Sequence, residues 1–138
     1  KETVKVLSAM SMYVNDEGPA AADALYAINQ SLLSADVVST YQSLTAAIYP
    51  SVAERAYQDG LTAYRAKRFE EGIPLFETSY KYEKNAEFSD NALYFLGRCY
   101  YKLEHIDTAI PIFVKLLGEY PNASNKSDAE YFVNLHKD

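Results

Sequence analysis

Two histidines, one cysteine and a set of carboxylates are the residues of this chain whose types could act on a substrate. His105 stands in the polar run "EHID" and His136 in "NLHKD". A helical metal site needs a second ligand one turn away, as in His-x-x-x-His, and neither histidine has one. Both are expected at the surface. Cys99 would be a nucleophile only with a base beside it to take its proton. It lies inside a helical stretch and reads as a thiol packed between helices. Glu70, Glu71, Glu83, Glu87 and Asp90 fall at helix starts or in a loop. There the positive end of the helix dipole favours them, so a structural role is enough. Arg65, Lys67 and Arg68 close a helix for the same reason and offer a contact to an acidic partner. Gly60 and Gly97 are isolated, with no phosphate-cradling loop around them. The reading is a protein without catalysis, metal or cofactor.

The tyrosines stand out from this background, 13 of them in a chain with no tryptophan. Residues at i, i+4 and i+7 of a helix share a face. Tyr94, Arg98 and Tyr101 do so, with Asn91 and Lys102 at the ends of the same strip. Tyr57, Leu61, Tyr64 and Arg65 form the same arrangement earlier in the chain, and Tyr131 with Leu135 begins it again later. Tyrosine and arginine anchor interfaces because each offers a large area and a polar tip. The strip is expected to be partly exposed, with the tips of Tyr57, Tyr64, Tyr94, Arg98 and Tyr101 within reach of a ligand. The competing reading is that some of these tyrosines pack between neighbouring structural units.

The elements that must position them come from an internal repeat. Shifted by 37 residues, Tyr57, Gly60, Tyr64, Ile73, Pro74 and Phe76 fall on Tyr94, Gly97, Tyr101, Ile110, Pro111 and Phe113. A further shift puts Tyr94 and Phe95 on Tyr131 and Phe132. Each unit reads as two helices. In the better formed one, Leu93, Leu96, Gly97 and Tyr100 make one apolar stripe and Ile106, Ala109, Ile110, Phe113 and Leu116 make a second, joined by "EHID". Gly97 and Ala109 are small where the two helices would cross closely. Pro74 and Pro111 sit near the start of the second helix of each unit. There the first N–H groups lack partners anyway, so the proline is expected to cost less than at mid-helix. Pro121 follows the last turn as a stop signal.

These residues resemble the tetratricopeptide repeat, whose 34-residue pattern places a large apolar residue, Leu-Gly, Tyr, Ala, an aromatic and Pro in order. Leu93, Leu96-Gly97, Tyr100, Ala109, Phe113 and Pro121 fill those places. The preceding unit is degenerate, with Ala56, Asp59-Gly60, Ala63, Gly72, Phe76 and then Lys84 in place of proline, and its longer spacing implies extra residues near "KNAEF". The resemblance covers about residues 51–137. It implies an all-α solenoid of about seven helices: stacked antiparallel hairpins with a C-terminal capping helix, each unit too small to fold alone. It also implies that the tyrosine strip lines a concave groove. The partner is then a protein or peptide segment held by Tyr57, Leu61, Tyr64, Arg65, Asn91, Tyr94, Arg98, Tyr101, Lys102 and Tyr131. The Lys and Asn pattern by which the family's best-known groove grips a peptide carboxylate is not matched at these places.

Residues 1–50 fit the repeat less well and read as a helical hairpin plus a linking helix. "ETVKVLSAMSMYV" is apolar at helical spacing, "NDEGP" turns, and Pro19 suits the first position of the next helix. "QSLLS" breaks the chain, and Ser34 is a candidate N-cap for the stretch that follows. Pro50 is expected to interrupt that helix, with "SVAE" as a capping box that restarts it. The remaining units are then 51–87, 88–122 and a capping helix near 124–137. The "SLLS" link and the "YP" before the repeats resemble membrane-anchored tetratricopeptide proteins of Gram-positive bacteria, which implies a fragment outside the membrane, tethered by sequence not included here. The net charge of −6 argues against nucleic acid as a partner. No run of about 20 apolar residues offers a membrane span. One cysteine excludes an internal disulfide. The alternative function is a structural or assembly module of a larger envelope protein with nothing in its groove.

Overall fold

The 37-residue repeat reappears in the boundaries of the helices. The computed structural model describes residues 1–137 and holds α1 (Glu2–Val14), α2 (Gly18–Tyr26), α3 (Ala35–Arg65), α4 (Phe69–Tyr82), α5 (Ser89–Lys102), α6 (Ile106–Glu119) and α7 (Lys126–Leu135), with a 3-10 turn at Gln30–Leu32. No strand occurs among the described residues. The starts of α4 and α6 lie 37 residues apart, and so do those of α5 and α7. Helices adjacent in the chain pack on one another: α1 on α2, α4 on α5, α5 on α6 and α6 on α7. By its internal contacts the chain divides into two units, Lys1–Val52 and Ala53–Asp138.

One turn geometry is used three times. Asp16, Lys67 and Glu104 have φ of 64°, 62° and 63°, the left-handed conformation that commonly ends a helix. In each case the next residue donates its N–H five residues back: Glu17 to the Met12 carbonyl, Arg68 to Ala63, His105 to Tyr100, at 2.8–2.9 Å. In each case the following helix begins at once, at Gly18, Phe69 and Ile106. The α1–α2 turn is therefore the same device as the α3–α4 and α5–α6 turns. The sequence conceals it, because glycine, the usual left-handed residue, is absent from all three positions.

In the unit Ala53–Asp138, each hairpin is closed by a phenylalanine ring lying on a glycine. A Cβ placed on Gly97 would stand 2.7 Å from Phe113 Cε1, and one on Gly60 would stand 2.8 Å from Phe76 Cε1. Both phenylalanines are fully buried, so neither ring has solvent to swing into. The close approach expected at Gly97 is thus between a helix backbone and a ring. Ala92, Leu93, Leu96, Cys99, Ala109 and Leu116 complete this core. Burying each large apolar side chain contributes about 1.5–3 kcal/mol.

Pro74 and Pro111 are each the sixth residue of their helix. That is one turn deeper than the unpaired N-terminal N–H groups, so each proline forfeits an i→i−4 bond, to the carbonyl of Glu70 and of Asp107 respectively. Both acidic residues are exposed.

In the unit Lys1–Val52, Ala9, Ala21, Ala22 and Leu25 are wholly buried and bring α1 and α2 close together, with Val6, Ile48 and Val52 also inside. Two expectations about this region need correction. Pro50 does not interrupt the chain: α3 is continuous from Ala35 to Arg65 with Pro50 inside it. Ile48 and Val52 are both buried. Their spacing of four keeps both on one face only if the helix runs on, and that burial outweighs one lost hydrogen bond. Ser51 and Glu54 are exposed residues on this helix, not a cap. Ser34 does precede the helix, but its hydroxyl donates to the Asp36 carboxylate at 2.7 Å rather than capping the backbone. This bond, with those from the backbone, holds the Asp36 carboxyl below its usual range.

Candidate interaction face

The side chains singled out in the sequence all belong to α3, α5 and α7 within the unit Ala53–Asp138, but they are not equally accessible. Tyr57, Leu61 and Tyr94 are buried, with 8%, 8% and 5% of their surface exposed, so the expectation that both tyrosines are partly exposed does not hold. Tyr64, Asn91, Arg98 and Tyr101 are half-buried, and Arg65, Lys102 and Tyr131 are exposed. The reason is an aromatic ladder that also repeats at 37. Tyr57 meets Phe76 at 6.2 Å between centroids and Tyr94 meets Phe113 at 5.8 Å. Tyr64 meets Phe95 at 5.0 Å and Tyr101 meets Phe132 at 4.7 Å. Phe76 stacks on Phe95 and Phe113 stacks on Phe132. Tyr57 and Tyr64 are each held between their own hairpin and the next, Tyr57 by Phe76 and Phe88 and Tyr64 by Phe69 and Phe95. Tyr131 occupies the ladder position of Tyr94 but is 60% exposed, because no described helix follows α7 to cover it. Phe95 and Phe132 match each other under the 37-residue shift, but they fall between the tyrosines' face and the aliphatic stripe, so spacing assigns them to neither.

Arg98 is the charged centre of this face. Its Nη1 donates to the Tyr94 hydroxyl at 2.9 Å. Its guanidinium carbon lies 5.0 Å from the Phe132 ring centre, 5.8 Å from that of Tyr94 and 6.0 Å from that of Tyr64. Cation–π attraction therefore holds it from three sides. Its Nε is buried and has no hydrogen-bond partner. Burial raises the pKa of the Tyr57 and Tyr64 hydroxyls, opposed by a bond to Asn91 at Tyr57 and by the charge of Arg98 at Tyr64. At the edges, Asn125 Nδ2 donates to Asn91 Oδ1 at 2.9 Å, and the Tyr101 hydroxyl lies 2.7 Å from His136 Nε2. Neither partner was anticipated, since nothing in the spacing of single polar residues marks contacts 34 or 35 positions apart.

The remaining reactive residues are placed away from this face. His105 precedes α6 as its N-cap residue and is exposed. Cys99 is fully buried in the core, with its Sγ 3.1 Å from where a Gly72 Cβ would stand, and burial pushes its thiol up to about 12. It is therefore protonated throughout the neutral range. We expect iodoacetamide at pH 8 to leave the native protein unlabelled over hours and to alkylate it within minutes in 6 M guanidinium; rapid native labelling, read by intact mass, would contradict this placement. Among the described residues, no group of three or more His, Cys, Asp or Glu side chains could hold a metal. No helix of the described residues is long and apolar enough to cross a membrane. A shallow cleft of about 430 Å³ lies between the helix links, lined by Lys84, Glu87, Asp90, Glu119 and Tyr120 among others. The Tyr80 hydroxyl donates to Glu119 and the Tyr120 hydroxyl donates to the Lys84 carbonyl, so these residues tie the links together.

No family model, no characterised protein and no solved structure compared with the chain matches it.

Proposed function

We propose that this protein is a non-catalytic scaffold of tetratricopeptide-like hairpins that binds a protein or peptide segment along the face formed by α3, α5 and α7. The observation that carries the reading is Arg98: a guanidinium with no ion partner among the described residues, ringed by Tyr64, Tyr94 and Phe132 and bordered by Asn91, Tyr101 and Tyr131. A half-buried arginine among aromatic rings is the composition of an interface anchor. The buried Tyr57, Leu61 and Tyr94 form the floor, and the half-buried and exposed residues make the contacts. Burial of Tyr57 and Tyr94 also favours a second reading, a structural module of a larger assembly in which the tyrosines serve packing alone.

Selection of random dodecapeptides displayed on phage against the intact chain separates the two. The scaffold reading expects specific peptides whose affinity falls about thirtyfold in Tyr131→Ala, the size of a 2 kcal/mol anchor. Tyr131 is exposed, so this change leaves the fold intact. Selection of no peptide, or of peptides indifferent to Tyr131 and Tyr101, would favour the structural module.

A further inference from the structure

The charges of the face say more than that something binds there. Lys5, Arg55, Arg68 and Lys115 have carboxylate partners one helical turn away: Glu2, Asp59, Glu71 and Glu119 respectively. Arg65, Arg98 and Lys102 have no carboxylate partner among the described residues, in a protein of net charge −6 where carboxylates outnumber cations 19 to 13. Arg65 and Lys102 end their helices at equivalent repeat positions, 37 residues apart, so two exposed cations flank the half-buried one. A guanidinium has five N–H donors in a planar fork matched to a carboxylate. Arg98 spends one on the Tyr94 hydroxyl, and its buried Nε–H has no acceptor. That Nε is closed to solvent, so the donors an incoming anion can reach are those of the Nη groups, which form charge-assisted hydrogen bonds with a carboxylate.

Resting on the scaffold reading, we infer that the segment bound on this face is acidic, with an aspartate or glutamate side chain seated on the Arg98 guanidinium and further acidic residues toward Lys102 and Arg65. Tyr94 acts as a positioning residue: its hydroxyl fixes one Nη of the fork, and the rings of Tyr64 and Phe132 hold the guanidinium plane. The protein's overall negative charge then disfavours unselective capture of acidic chains at a distance, and the three local cations supply the selectivity.

The test uses two sets of fluorescein-labelled dodecapeptides of Glu, Leu, Tyr and Gly, identical except that every Glu in the first set is Gln in the second. Binding to the intact chain is measured by anisotropy. The Glu set is expected to bind at least about tenfold tighter than the Gln set and to weaken as NaCl rises from 50 to 500 mM. Arg98→Gln should remove that tenfold preference, and Tyr94→Phe should reduce it. If Arg98→Gln does not fold, Arg98→Lys keeps the charge without the fork, and its weaker preference for the Glu set decides the matter. Equal binding of the two sets, or a preference untouched in Arg98→Gln or Arg98→Lys, overturns the acidic segment and leaves the scaffold reading standing. Binding of neither set overturns both.

Discussion

Replacing Phe113 with alanine is expected to cost about 3–5 kcal/mol of folding stability, the range for removing a fully buried aromatic side chain. A domain of this size commonly has 5–15 kcal/mol in all, so one ring would account for a large share. The expectation is at the upper end because Phe113 joins three elements. It lies on Gly97 of α5, meets Tyr94 at 5.8 Å and stacks on Phe132 of α7 at 5.0 Å. The glycine gives the prediction a second arm. Gly97→Ala alone should cost about 1–3 kcal/mol, because the new Cβ would stand 2.7 Å from a ring that cannot retreat. In the Phe113→Ala background the same change should be neutral, or stabilising by about 0.5–1 kcal/mol, since the obstacle is gone and alanine is the better helix former. Urea unfolding of the four proteins, read by far-ultraviolet circular dichroism, measures the coupling. Additive effects of the two substitutions would show that ring and glycine do not meet, and the shared 37-residue design would lose its physical basis.

Phe132→Ala is expected to undock α7 while the hairpins before it stay folded. The helix has only 10 residues, too few to be stable alone in water. Its attachment is concentrated in one side chain. Phe132 stacks on Phe113, meets Tyr101 at 4.7 Å and lies under the Arg98 guanidinium at 5.0 Å. Ala129 is the only wholly buried residue of the helix among those described. Truncation should therefore cost about 3 kcal/mol and place the loss locally. Hydrogen exchange followed by mass spectrometry should show residues 126–135 exchanging at least a hundredfold faster, with α5 and α6 protected as before. Uniform loss of protection across the unit would mean that α7 and the hairpins unfold as one body.

How much of this was legible in the sequence differs from feature to feature. Periodicity gave the helices and the 37-residue shift, because burial acts on every residue of an element and repetition multiplies the signal. The proline at 50 misled, since a local rule about N–H donors competes with the burial of Ile48 and Val52 and loses. The left-handed turn residues were invisible because Asp16, Lys67 and Glu104 carry no glycine signature. On the candidate face, helical spacing brought the right residues together but could not grade their exposure. Tyr94 and Tyr131 are equivalent by repeat, yet the first is 5% exposed and the second 60%. That difference depends on whether another helix follows, which no local pattern encodes. That Arg98 has no carboxylate partner among the described residues is likewise a property of the folded surroundings.

The most direct test of the account is an amide NMR titration of the ¹⁵N-labelled chain with a selected dodecapeptide. Binding on the face described here predicts the largest shift changes at Tyr64, Arg65, Asn91, Arg98, Tyr101 and Tyr131, with the Arg98 Nε–H resonance among them. Changes confined to the links at 83–88 and 120–125, or to the turn at 103–105, would contradict it and move the function to another surface of the protein.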